Sequence, residues 1–278
     1  MKTLLIAADF SESAMHAAEY AAQFSRQIKA DHLILYHAYQ LLPGLDNSPM
    51  EAPMPKARAR EYNEDFLRQL REKLTALVRP ETLILTRTEA SELGKGVSDI
   101  ASICDGSGLL VIGSSRARIK NPPVAWKESE TSKLIKTSSL PVLIVPKSAL
   151  YRPISKIVLA CDFEDVTDTL PFARLRLLIK ELEAKLSVVH VNRPLQKQER
   201  IRESIIVNDL FEDLDPSTTY LKDRDVSTGI LNHAAGIGAQ LIVAVAKNHA
   251  PIKQLLHKSI VKELALKSDI PLLVIRRR

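Results

Sequence analysis

Cysteine, aromatic side chains and long apolar runs are all scarce in this chain of 278 residues, and each scarcity closes off a class of function. The two cysteines, Cys104 and Cys161, belong to no Cys-x-x-Cys or Cys/His spacing. A disulfide framework and a metal site are therefore not expected, and both thiols read as reduced and buried in a cytoplasmic protein. Aromatics make up 5% of the residues, too few for a single-strand nucleic-acid platform. The core must instead rest on Leu, Ile, Val and Ala, which suit strands covered by helices on both faces. No apolar run reaches the roughly 20 residues of a membrane span. The opening Met1-Lys2-Thr3 passes straight into a strand pattern without a signal peptide. Cytoplasmic location without membrane insertion is the expectation.

What is present is an ordinary globular composition, 45% hydrophobic and 26% charged, with a formal net charge of +6. The positive residues are scattered beside acids on helix faces, as in Arg68, Arg71, Glu72 and Lys73, which reads as solvated surface. Only Arg276-Arg277-Arg278 is locally dense, and no nucleic-acid motif accompanies it.

The chain reads as one unit written twice. Thr3-Leu4-Leu5-Ile6-Ala7-Ala8-Asp9-Phe10 and Lys156-Ile157-Val158-Leu159-Ala160-Cys161-Asp162-Phe163 are apolar runs ending in Asp. Each is followed by a helical pattern, Ala14 to Ile28 and Leu170 to Leu182, and then by a second strand ending at His37 or His190. Asp9 and Asp162 stand as far apart as His37 and His190 do, which argues for duplication. The order continues in both halves. A charged helix (57–78 and 197–214) leads to a short strand (82–88 and 218–222). A helix opened by Gly94-Lys95-Gly96 or Ser227-Thr228-Gly229 follows. Buried strands at 109–113 and 241–245 come next, and last strands at 141–145 and 271–275 close the halves.

Strand–helix alternation makes a parallel sheet with right-handed crossovers. The expected architecture is α/β, two tandem doubly wound five-stranded parallel-sheet domains, 1–149 and 150–278, joined by a linker at 147–155. Prolines mark 41–56 as an irregular loop, read equally as a lid over the strand ends or a solvated insertion.

The Ala8-Asp9-Phe10-Ser11 strand end, the His37 and His190 positions and a Ser-containing helix start before Pro-Val-Leu-Ile-Val together resemble the universal stress protein family. The resemblance covers nearly the whole chain, twice. It implies an adenine nucleotide alpha-hydrolase-like fold, with the last strands pairing so that the halves form an internal pseudo-dimer. It also implies a site. Some members bind ATP through a loop after the fourth strand that reads Gly-x-x-Gly, nine residues, then Gly-Ser or Gly-Thr, while the first-strand Asp holds the nucleoside end. Glycines let backbone amides close on phosphate there, and the following helix start favours the charge.

This chain departs from that pattern in both halves. The first reads Gly113-Ser114-Ser115-Arg116, eleven residues, then Glu128-Ser129, so one glycine survives and a carboxylate stands where phosphate would lie. The second reads Val245-Ala246-Lys247-Asn248, nine residues, then Lys258-Ser259, so the spacing survives without the glycines. Lys247, Lys253, Lys258, His249 and His257 make that loop cationic, and two readings stand: an anion pocket with Ser259 as donor, or an exposed basic loop with Ser259 as a plain cap.

The candidate ligand residues are Asp9, Gly113, Ser129, Asp162, Lys247, Asn248, Lys258 and Ser259. His37 and His190 read as a duplicated structural position, since no nucleophile motif accompanies them. No catalytic residue and no cofactor is expected. The reading is a non-catalytic stress-response protein that binds a partner or small ligand. The alternative is an adenine-nucleotide (ATP or AMP) sensor working mainly through the second domain. A protein partner is expected, with a homodimer of the whole chain as a further option.

Overall fold

The computed structural model describes residues 2–39, 56–104, 108–114, 134–135, 137–160, 170–191, 201, 205–207, 209–246 and 260–276. These fall into two compact units, one holding the first four strands and one beginning at Leu143.

In the first unit, strand β1 (Thr3–Ala7) pairs in parallel with β2 (His32–Tyr39) and with β4 (Gly108–Ser114), and β2 pairs with β3 (Leu83–Ala90). The order is β3-β2-β1-β4. Every residue of β1 is buried, and each fully buried Leu or Ile contributes roughly 1.5–3 kcal/mol. Helix α1 (Glu12–Gln27) begins earlier than the apolar spacing suggests, because the Ser11 hydroxyl accepts the Ala14 amide at 3.2 Å and caps it. Its buried face carries Ala14, Ala17, Ala18, Ala21 and Ala22 together with the larger Tyr20 and Phe24. Helix α2 (Lys56–Thr75) packs on β3 and β2.

Helix α3 (Leu93–Ile103) corrects the sequence reading. Gly94-Lys95-Gly96 lies inside its first turn and is not the turn before it, since Glu92 is the N-cap. The reason for Gly96 is Tyr36, fully buried on β2. A Cβ at residue 96 would stand 1.6 Å from the Tyr36 hydroxyl, whereas one at Gly94 would meet nothing within 4 Å.

The second unit holds β5 (Val142–Pro146), β6 (Lys156–Ala160), β7 (Lys185–Val191), β8 (Ser217–Leu221), β9 (Leu241–Ala246) and β10 (Leu272–Arg276). The order is β5-β10-β9-β6-β7-β8, with β10 through β8 parallel. The expected mostly parallel α/β architecture is present in both units, and β5 and β10 are neighbours. Helix α4 spans Leu170–Leu182, as its apolar spacing predicts. The helix expected over 197–214 is described only in part and closes in a 3-10 turn, Glu212–Leu214. Helix α5 (Val226–Gly236) stops where Gly238 turns to φ +65, and α6 (Ile260–Lys267) leads to β10. The linker is tied down within this unit. The Gln240 side-chain oxygen accepts the Ser155 and Lys156 amides at 2.9 Å each, and the Ser148 hydroxyl donates to Asp269 at 2.6 Å. No helix among the described residues is long and apolar enough to cross a membrane.

A polar joint ties α6 to the start of α5. Asp225 caps α5 by accepting the Thr228 amide at 2.7 Å. The buried Ser227 hydroxyl lies 2.6 Å from Asp225 and 2.7 Å from Glu263 of α6, and Lys267 donates to Glu263 at 3.0 Å and to Ser227 at 3.2 Å. Ser227 has one hydroxyl proton to offer between the two carboxylates; with the Thr228 bonds it holds the Asp225 carboxyl well below the usual carboxylate range, and with Lys267 it lowers Glu263.

Two outcomes test this packing. Gly96→Ala should destabilise the protein by about 1–3 kcal/mol through overpacking, and Gly94→Ala should stabilise it by up to about 1 kcal/mol through helix propensity, both read from urea midpoints. A depressed carboxylate pKa gives stability that is complete above the unfolded value, about 4, and is lost as pH falls through the folded one. The melting temperature should therefore drop below about pH 4, and Asp225→Asn should flatten part of that drop. Equal slopes in the two proteins would remove the joint from the account.

Candidate functional site

The parallel register sets the carboxyl ends of β1, β2 and β4 at one edge of the first unit, where doubly wound sheets take their ligands. The chain leaves β1 through Ala8, whose amide donates to Tyr36 at 2.9 Å, and then makes a tight turn. Asp9 is exposed at this turn. One of its carboxylate oxygens accepts the Ser11 amide at 3.1 Å and the Ser11 hydroxyl at 2.5 Å. Ser11 has a single hydroxyl proton, which goes to Asp9, so Ser13 is the donor in the 3.0 Å contact between the two serines.

Gly113, the penultimate residue of β4, lies against the same turn. A Cβ there would stand 2.2 Å from the Ser13 carbonyl oxygen and 2.8 Å from the Ala14 amide nitrogen, so the strand presses on the first turn of α1 backbone to backbone. The structure thus brings Asp9 and Gly113 to one place, with Ser11 and Ser13 between them. The remaining candidates, Ser129, Asp162, Lys247, Asn248, Lys258 and Ser259, lie outside the described residues, as does the 41–55 segment read as a lid or insertion.

Between Asp9 and Ser11 sits Phe10, with φ +64. Left-handed backbone at a bulky residue costs of order 1–3 kcal/mol and persists only where the surroundings hold it. Here an aromatic stack does so. The Phe10 ring lies 4.1 Å from the His37 ring at 18°, and 3.9 Å from Phe66 of α2 at 54°. Tyr62, one helical turn before Phe66 and 63% exposed, meets Phe10 edge-on at 6.2 Å, and Tyr39 stacks beyond His37 at 6.3 Å. Pairs of this kind contribute about 0.5–1.5 kcal/mol each beyond their burial.

His37 is buried and its Nδ1 lies 2.5 Å from the Ala8 carbonyl oxygen. A carbonyl only accepts, so Nδ1 carries the proton in the neutral ring. Burial pushes the imidazole pKa down, against the opposing pull of that hydrogen bond and of Asp9. His190, the counterpart in the second unit, is equally buried, and its ring stacks on Tyr220 of β8 at 5.1 Å and 19°. Both histidines therefore pack against aromatic rings, one in each unit.

Sequence reasoning passed over Ser13, Tyr39, Tyr62 and Phe66. The signal for the last two was available: aromatics four residues apart on a predicted helix share one face, and in a chain this poor in aromatics such a pair on a charged helix asks for a partner.

A family model described as the Universal stress protein family matches residues 1–146. No curated protein matches the chain. Among solved structures, a universal stress protein from Archaeoglobus fulgidus DSM 4304 is similar at 17% identity and a TM-score of 0.72, over 99% of this chain and 98% of its own. A functionally unknown protein from Pseudomonas aeruginosa PAO1 is similar at 15% identity and a TM-score of 0.55, over 99% and 92%. At such identities the structural likenesses speak for the fold, and the family model speaks for descent: the chain belongs to the universal stress protein family.

Proposed function

We propose that this chain is a non-catalytic stress-response protein that takes a small ligand at the strand-end turn of its first unit. The observation that carries the reading is the exposed Asp9 carboxylate at the carboxyl end of the central strand, backed by the Gly113–Ser13 contact that fixes the turn. Acids at this place in doubly wound folds orient ligands. The non-catalytic part is supported by His37, the histidine nearest the turn, whose Nδ1 is committed to a backbone carbonyl and whose ring is committed to a stack. It is supported also by the loop after β4, where one glycine of the phosphate pattern remains and Glu128 stands before Ser129.

A second reading, an adenine-nucleotide sensor working through the second half, is favoured by the retained nine-residue spacing between Asn248 and Lys258.

Thermal-shift titration of the intact protein with ATP, ADP and AMP, with and without magnesium, separates the two. A ligand at 100 times its Kd stabilises by about 2.7 kcal/mol, a visible shift. A saturable shift lost in Asp9→Ala places the nucleotide at the first-unit turn. One that survives Asp9→Ala and is lost in Lys258→Glu makes the second half the sensor. No shift at millimolar nucleotide turns the search to other small ligands.

A further inference from the structure

We propose that Phe10 is a two-position relay that couples the Asp9–Ser11 turn to α2, so that a ligand engaging Asp9 changes the surface α2 presents. The proposed ligand site supplies only the input; the coupling itself is a property of the ligand-free protein.

Three observations converge on it. Both the Ser11 amide and the Ser11 hydroxyl donate to one Asp9 carboxylate oxygen and close the turn across Phe10, so a group that takes that oxygen opens the turn at that residue. Phe10 stands at φ +64, in a well separated by steric barriers from the extended and right-handed regions open to a bulky residue. The transition is therefore a jump between wells and not a gradual bend. The ring is also the link to α2. It is held between His37 of β2 at 4.1 Å and Phe66 at 3.9 Å, with Tyr62 edge-on. A return of Phe10 to negative φ withdraws the ring from both partners and leaves the Tyr62–Phe66 face of α2 without its contact at the turn. The two states and the contact that distinguishes them are what a coupling claim requires.

A double-mutant cycle on the intact protein, read by amide hydrogen exchange along α2, tests the relay without any ligand. Asp9→Ala alone should raise exchange in α2 by at least about fivefold, the lower end of usual coupling. In a Phe66→Ala background the same substitution should change exchange by less than about twofold, because the ring contact that carries the signal is gone. Effects that simply add overturn the proposal. Phe66→Leu keeps an apolar side chain and removes the ring, and it should abolish the coupling as Phe66→Ala does. Coupling that survives in Phe66→Leu overturns the proposal as well. Absence of any nucleotide shift in the native protein counts against nucleotide as the ligand and leaves the outcome of this cycle untouched.

Discussion

Strand β1 has no free side. Its neighbours β2 and β4 take both edges, and all five of its residues are buried. Such a strand tolerates no charged side chain along its length, and its backbone must be satisfied wholly by its neighbours. The first place where the chain can carry charge is therefore its exit. That is where Asp9 stands, where the turn tightens over Phe10, and where Ser11 starts α1. The candidate site is a consequence of how completely the strand before it is enclosed.

The two units, alike in strand and helix order, serve as controls for each other. Both helices that follow the third strand of a half open at an acidic N-cap, Glu92 and Asp225, but only Asp225 makes a side-chain cap bond. Two residues further on, Gly94 stands where the second unit has Ser227, the centre of its joint with α6. The shared framework is apolar and periodic. The differences lie in polar contacts made by single residues.

That division also marks what the sequence could tell. Continuous apolar runs such as Leu4-Leu5-Ile6 and Ile157-Val158-Leu159 announce parallel strands, and α4 ends where its pattern does. Helix starts were harder. A cap such as Ser11 carries no periodicity, and Gly94-Lys95-Gly96 resembles a turn until Tyr36 is seen to occupy the space beside it. In the site, the position of Asp9 at the end of the strand was legible because it is the first charge after an apolar run. The aromatic stack was not, because it joins residues from a turn, a strand and a helix whose proximity depends on the whole unit. Gly113 was legible as a special position, but the pressure of β4 on α1 is a reason only the packed structure supplies.

Tyr36 and Val189 occupy the same register position, opposite Ala7 and Ala160. Both are buried, yet one carries a phenol fitted to the bare backbone of Gly96 and the other only a branched methyl pair. An exchange of these strands between the halves would therefore carry a packing cost at this position. Recombination that copied the second-half strand into the first would leave a ring-sized void above Gly96, and the opposite exchange would force a phenol into a space filled by valine.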